Sequence, residues 1–240
     1  MDISKLTNAV RSALPLRYCG AVIVAAGTAS RMEGIDKVMA LLQGEPMIVR
    51  TVRAFQNAEV IREIVIVTRD DLILPITELC AAFDKVRAVV AGGKDRPESV
   101  RNGLSALSSK VRLAAIQDGA RPLITETVID RTVRAAHSYG AAAPGIPVKD
   151  TVKTVQGGVV TQTPDRNTLR AIQTPQVFDL DMLKGALQKA KQEKAMITDD
   201  CSAVERLGMS VKIVEGDERN IKVTTPMDLK IAELLLEDML

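Results

Sequence analysis

The run Ala25-Ala26-Gly27-Thr28-Ala29-Ser30-Arg31-Met32, followed by Lys37, has residue types that can hold an anion. It comes straight after the apolar stretch Gly20-Ala21-Val22-Ile23-Val24. A glycine-bearing turn at a strand end lets backbone N–H groups approach phosphate oxygens closely. Arg31 and Lys37 can then bring positive charge to a triphosphate. No GKS or GKT closes the run, so it is not a Walker A loop. Ala29 stands in place of a second glycine, so it is not the dinucleotide fingerprint either. On spacing alone, a plain strand-to-helix turn with two solvated cations is an equal reading.

A second group is Gly92-Gly93-Lys94-Asp95-Arg96-Pro97-Glu98-Ser99. Paired glycines at a strand end leave room for a flat ligand such as a nucleobase, and the Ser99 hydroxyl can donate and accept. Taken alone, early-helix residues explain it as well. A third is Asp118-Gly119-Ala120-Arg121-Pro122. A carboxylate at a strand end can hold Mg²⁺, which takes few protein carboxylates beside phosphate oxygens and water. The plain alternative is a turn in which Asp118 and Arg121 form a local ion pair of little worth. A late group comprises Asp165-Arg166, Thr174-Pro175-Gln176, Thr198-Asp199-Asp200 and Asn220-Ile221-Lys222-Val223-Thr224. Most of it reads as loop or cap chemistry, with Thr198 and Asp199 suited to a helix N-terminus. Lys222 sits in an apolar β-branched run, where a lysine either snorkels to solvent or points into a polar site.

Something must carry these groups to one place. Continuous apolar runs at residues 20–27, 61–68, 86–91 and 112–117 read as strands buried on both faces, hence in a parallel sheet. Helical segments at 48–57, 72–83, 98–107 and 127–137 alternate with them, and a small-residue strand follows at 141–148. This alternation predicts a doubly wound, mostly parallel, Rossmann-like α/β sheet. Ligands on such sheets bind beyond the carboxyl ends of the strands, where the first three groups fall. The stretch 149–174 breaks the pattern. Two β-branched runs around Gln156-Gly157-Gly158 read as a hairpin, and an isolated hairpin is marginal in water. It either packs on a partner subunit or folds back on its own domain. A helix at 180–192, a short one at 201–207, a strand at 210–215 and a helix at 226–237 complete the chain. Residues 1–18 read as an amphipathic helix with Leu6, Val10 and Leu14 on one face.

Composition narrows the classes. Aromatics make up 2% of the 240 residues and Trp is absent, so the core must be aliphatic. The same scarcity argues against stacking on single-stranded nucleic acid. A formal charge of +2 suggests no polyanion partner. Cys19, Cys80 and Cys201 are far apart, with no metal-ligand spacing, which fits a reducing cytoplasm. No stretch approaches the roughly 20 apolar residues that span a bilayer.

Read together, AAGTASRM, AGGKDRPESV, DGARP, KDTVK, DRNTL, QTPQVF, ITDD and NIKVTTPMDL follow one another in order. In this the chain resembles the 2-C-methyl-D-erythritol 4-phosphate cytidylyltransferase family of the nonmevalonate isoprenoid pathway, from about residue 21 to residue 236. The resemblance implies a single nucleotidyltransferase domain over 21–240 behind an N-terminal extension, 1–20, with a β-arm at about 149–172. It implies transfer of a cytidylyl group from CTP to methylerythritol phosphate, with Mg²⁺. Ala25, Ala26, Gly27, Arg31 and Lys37 would bind the triphosphate, and Gly93 and Ser99 would sit at the cytosine. Asp118 would lie near Mg²⁺ and the sugar, with Arg121 close by. Arg166 and Lys222 would position the acceptor, with Thr151, Thr174 and Thr198 lining its pocket. Members of the family are homodimers with interlocked arms, so Thr151 and Arg166 would serve the neighbouring subunit.

The chain departs from the family pattern in places. Ala29 replaces a usual glycine, Asp36 a usual proline before the lysine, Lys94 a common acidic residue and Gln117 a common histidine. The segment between Met32 and Lys37 is one residue short, and the extension before Ala21 is longer than usual. The same chemistry on ribitol 5-phosphate remains an alternative. A non-catalytic CTP-binding protein on the same fold is another, motivated by Ala29 and Asp36.

Overall fold

The computed structural model describes Asn8, residues 11–27 and residues 37–238. In chain order the elements are β1 (Cys19–Val24), β2 (Leu41–Leu42), β3 (Glu45–Pro46), α1 (Met47–Asn57), β4 (Ile61–Thr68), α2 (Ile73–Leu79), β5 (Val86–Ala91), α3 (Arg96–Ala106), β6 (Leu113–Asp118), α4 (Glu126–Tyr139), β7 (Ala141–Pro147), β8 (Thr154–Gln156), β9 (Val159–Gln162), β10 (Arg170–Ile172), β11 (Gln176–Asp179), α5 (Leu180–Gln192), α6 (Asp200–Glu205), β12 (Lys212–Glu215) and α7 (Pro226–Glu237).

Eight strands form one sheet in the order β10-β7-β11-β6-β1-β4-β5, with β12 paired to β7. The pairs β1–β4, β1–β6, β4–β5 and β7–β12 are parallel, whereas β11 runs antiparallel between β6 and β7 and β10 is antiparallel to β7. The expected mostly parallel α/β sheet is therefore present, with β10 and β11 as antiparallel additions that make it mixed.

Strand alternation explains why the central strands are apolar throughout. Ile64 and Ile66 of β4, with Ala21 and Ile23 of β1, face one core that includes Ile48, Val52 and Phe55 of α1 and Val133 of α4. Val65 and Val67, with Val22, face the other, against Val100 and Leu104 of α3 and Leu183 and Leu187 of α5. A strand covered on both faces cannot alternate polar with apolar. Gly103 lets α3 come close, because a Cβ there would stand 2.3 Å from Val22 Cγ1 and 2.8 Å from Val67 Cγ2.

Several sequence expectations need correcting. The helix expected at 72–83 is shorter, ending at Leu79. The helix expected at 98–107 starts two residues earlier, at Arg96, where Asp95 caps it by accepting from the Glu98 N–H at 2.8 Å. Leu14, expected on an apolar face, is 58% exposed, and Leu6 and Val10 lie outside the described residues. The hairpin of β2 and β3 and the strand β11 were not anticipated.

Candidate active site

Parallel strands put their carboxyl ends on one edge, and the backbone ladder continues past them. The Ala25 N–H donates to Val67 O at 2.7 Å, the Gly92 N–H to Thr68 O at 2.7 Å and the Gly119 N–H to Val24 O at 2.9 Å. The first residues of three loops are thus locked to their neighbouring strands. Thr51 of α1 adds a hydroxyl bond to Gly119 O at 3.1 Å. Gly92 is needed here for close approach: a Cβ would stand 2.4 Å from the Cβ of Ala26.

A cavity of about 300 Å³ opens at this edge, the lower end of the range for small-molecule sites. Its walls include Ala25, Ala26, Gly27, Lys37, Gly93, Ser99, Asp118 and Lys222. Ser99 is buried, and its hydroxyl accepts from the Gly93 N–H and donates to Asp95 O, both at 3.0 Å. It therefore shapes the glycine loop before meeting any ligand. A second, smaller cavity of about 170 Å³ is lined by Arg121, Thr174, Gln176, Thr198 and Asp199. Arg96, Asp118 and Lys222 line both.

Asp118 is the centre of this shared wall. Lys222 Nζ lies 2.9 Å from its Oδ2, Arg121 Nε 3.6 Å from the same oxygen, and Arg96 Nη2 3.7 Å from Oδ1. Burial pushes the Asp118 pKa up, but Lys222, Arg96 and Arg121 together outweigh it and hold the carboxyl below its ordinary value. Arg96 is shared with Asp200, 2.8 Å away and fully buried. Burial drives the Asp200 pKa up, and Arg96 only partly opposes it. Burial also works against the charge of Arg96, yet the two aspartates raise its pKa overall.

The late motifs are gathered around this centre. The Thr174 hydroxyl accepts from the Asp118 N–H at 3.1 Å. Asp199, rather than Thr198, caps α6 and forms a capping box with Ser202. Gln176 Nε2 donates to Asp199 Oδ2 at 2.7 Å, and its Oε1 accepts from the Cys201 N–H at 3.0 Å. The Asp118–Arg121 pair, the plain alternative read from sequence, is present at 3.6 Å, but it is not merely local, because Lys222 is the closer cation.

Not every expected residue joins the site. Arg31 lies outside the described residues, as do Ala29 and Asp36. Thr151 and Arg166 line neither cavity. Both are exposed, on the segment that carries the β8–β9 hairpin, and Arg166 Nη1 donates to Lys149 O at 3.1 Å. Arg96 and Asp200 were missed as site residues. An arginine one place after a capping aspartate reads as ordinary helix chemistry, and only the fold brings α6 against it.

The donor set limits what metal could sit here. Among the described residues no three of His, Cys, Asp and Glu come together as a cage. Of the two carboxylates in the larger cavity, Asp95 is occupied as a helix cap, which leaves Asp118. One carboxylate suits an Mg²⁺ that arrives with phosphate oxygens and water, and does not suit a resident metal. Nor is there a thiol nucleophile, since Cys19, Cys80 and Cys201 are buried and burial raises the Cys80 thiol to about 11. His137 is buried away from the cavity, its Nε2 3.2 Å from Leu14 O. Among the described residues no helix is long and apolar enough to cross a membrane.

Residues 19–238 match the family model for 2-C-methyl-D-erythritol 4-phosphate cytidylyltransferase. The chain is 44% identical over 225 residues to the protein of that name from Caldanaerobacter subterraneus, covering 90% of this chain and 97% of that one. It is 46% identical over 219 residues to the one from Geobacillus kaustophilus, covering 90% and 96%. Among solved structures, 4-diphosphocytidyl-2C-methyl-D-erythritol synthase from Anaerococcus prevotii superposes with a TM-score of 0.85 at 29% identity, over 93% of this chain and all of that one. The Thermus thermophilus 2-C-methyl-D-erythritol 4-phosphate cytidylyltransferase gives 0.75 at 29% identity, over 90% and 98%. On the order of its motifs, the layout of its sheet and these likenesses, the chain belongs to the 2-C-methyl-D-erythritol 4-phosphate cytidylyltransferase family.

Proposed function

We propose that this chain transfers a cytidylyl group from CTP to 2-C-methyl-D-erythritol 4-phosphate, giving 4-diphosphocytidyl-2-C-methyl-D-erythritol and pyrophosphate. The observation that carries the reading is the wall of Arg96, Asp118 and Lys222 shared by two cavities. The larger cavity takes CTP: Ala25, Ala26, Gly27 and Lys37 lie at the phosphates and Gly93 and Ser99 at the base, and the family resemblance assigns Arg31, outside the described residues, to the triphosphate as well. The smaller cavity takes the acceptor, with Arg121 and Lys222 at its phosphate and Thr174 and Thr198 along its sides.

One bond forms and one breaks. An acceptor phosphate oxygen attacks the α-phosphorus of CTP as the bond to the β-phosphate oxygen opens, and pyrophosphate leaves with the electron pair. A phosphate is already ionised near neutral pH, so no strong base is needed. Rate then comes from holding the two phosphates in line and from cations placed where charge builds. Mg²⁺, held by Asp118 and phosphate oxygens, would supply further neutralisation of the triphosphate.

The β8–β9 hairpin supports a homodimer in which Thr151 and Arg166 reach the neighbouring subunit's acceptor. Three free, buried cysteines fit a reducing compartment, so we place the activity in the cytoplasm. The test is pyrophosphate release with CTP and Mg²⁺, run in parallel with methylerythritol phosphate and with ribitol 5-phosphate. Release with the first acceptor alone is expected. Equal or greater turnover with ribitol 5-phosphate, or CTP binding with no release from either, would overturn the reading.

A further inference from the structure

Lys222 enters the shared wall from a loop with no regular structure, and something must aim it. The chain is pinned on either side of it. After it, the Val223 N–H donates to Ala120 O at 2.8 Å. Before it stands Asn220, fully buried. Its Nδ2 donates to Thr174 O at 3.0 Å and approaches Gln173 Oε1 at 3.4 Å. Its own carbonyl oxygen accepts from Arg121 Nη1 at 2.7 Å. Its N–H donates to Asp217 O at 3.0 Å. One residue thus joins three segments that are distant in sequence: its side chain holds the loop with Lys222 to the link between β10 and β11 with Thr174, and its backbone carbonyl takes Arg121 from the turn after β6. All three residues line the smaller cavity.

Asn220 itself lines neither cavity and touches no place where a substrate would sit. We infer that Asn220 is a positioning residue: its amide fixes the Lys222 loop to Thr174 and so sets Lys222 and Arg121 in register with Asp118. The inference rests on the reading of the smaller cavity as the acceptor site. A buried amide that loses its partner leaves Thr174 O unsatisfied, and the loop is then free to shift. A shift of about 1 Å at a phosphoryl-transfer centre costs on the order of 100-fold in rate. The larger share of the loss falls on the acceptor side: Lys222 lines both cavities, but Arg121 and Thr174 line only the smaller one, and the three loops at the larger cavity are held by their own ladder bonds to Val67, Thr68 and Val24.

The experiment uses the full chain with Asn220→Ser and Asn220→Ala, each alone and combined with Lys222→Ala. Acceptor KM and kcat are read from pyrophosphate release, CTP affinity from calorimetry and Tm from thermal unfolding. Expected for Asn220→Ser is a fall of about 10- to 100-fold in kcat/KM for methylerythritol phosphate, with CTP affinity within about twofold. In the Lys222→Ala background the same change should cost less than about threefold, because residues acting through one another are not additive. Full additivity, or equal losses for acceptor and CTP, would overturn the positioning role. So would unchanged kinetics, or failure of both variants to fold. Near-normal turnover of Lys222→Ala alone would remove the acceptor-site reading beneath the inference, an outcome distinct from additivity.

Discussion

Lys222 Nζ and Asp118 Oδ2 meet at 2.9 Å on the wall between the two cavities, 104 positions apart in the chain. The pair serves two purposes. It keeps Asp118 ionised against its burial. It also holds an ammonium, two-fifths exposed, where an incoming phosphate can compete for it. Lys222→Ala should therefore leave the fold intact and lower kcat/KM for the acceptor by about 10²- to 10³-fold, the cost of one transition-state cation. Lys37→Ala should produce a similar fall in kcat on the nucleotide side. Steady-state kinetics with each substrate varied separate the two, and normal turnover in either variant removes that residue's role.

Asp118 gives the acid side of the stability profile a definite sign. Its folded pKa is depressed below the ordinary value near 3.9. Its contribution is therefore present above about pH 4 and lost as pH falls through the lowered folded value. Asp118→Asn leaves Lys222, Arg96 and Arg121 without their shared anion. The Tm gap between wild type and Asp118→Asn should be widest at neutral pH and narrow steadily below about pH 4. A gap that stays constant from pH 7 to pH 3 would show that the cations do not act through this carboxylate.

Arg96 and Asp200 form a buried pair in which Asp200 is fully enclosed and Arg96 is only partly covered. Removing the cation alone strands a charge. Arg96→Met should cost about 3–5 kcal/mol in urea unfolding, as for other broken buried pairs. Because the Asp200 pKa is already raised by burial, that cost should shrink as pH falls and the unpaired carboxyl takes up a proton. The double variant Arg96→Met/Asp200→Asn should be more stable than Arg96→Met at neutral pH. Strictly additive losses would show that the two side chains do not depend on each other.

The parts of this molecule that repeat were legible in its sequence, and the parts that depend on long-range pairing were not. β4 falls on residues 61–68 as expected, and α5 and α7 match as well, because burial on both faces of a strand or on one stripe of a helix leaves its mark on the chain; β5 also falls on 86–91, but as the edge strand it is only half-buried and not covered on both faces as expected. β11 has no such signature. Gln176-Val177-Phe178-Asp179 is four residues long and becomes a strand only because β6 and β7 leave a slot between them. The paired glycines were read as space for a base, and the structure adds a second reason, since Gly92 must clear Ala26. Lys222 stood out as a lysine in an apolar run. Asn220, two places before it, did not, because an asparagine in a loop looks the same whether it faces water or holds three segments together.

The contact of Gly92 with Ala26 makes a prediction of its own. Gly92→Ala would place a methyl 2.4 Å from another methyl, with the Ser99 hydroxyl 3.1 Å away on a second side. Backbone must shift to relieve it, at about 1–3 kcal/mol for overpacking. The two loops that move both line the nucleotide cavity. Weaker CTP binding by calorimetry and a lower Tm are expected together, while Gly44→Ala, where a Cβ would meet nothing within 4 Å but φ is +78°, should lower Tm alone. Unchanged CTP affinity in Gly92→Ala would show that this contact does not shape the pocket.

The β8–β9 hairpin offers the last test. Val155, Val159 and Val160 are 55%, 67% and 53% exposed, and β8 and β9 pair only with each other, through a turn in which Gly157 and Gly158 take φ of +57° and +80°. Two short strands with apolar side chains in water are not stable alone. A second copy of the chain supplies the missing contact if the arm is the dimer element. Val155→Asp with Val160→Asp should then convert dimer to monomer in sedimentation. The doubly wound sheet should keep its far-ultraviolet spectrum, because β8 and β9 form a separate two-stranded sheet and both valines are exposed. If Thr151 and Arg166 act in the neighbouring site, the monomer should still bind CTP but turn over acceptor far more slowly. A fully active monomer would mean that each chain completes its own site, and an unchanged dimer would mean that another surface holds the copies together.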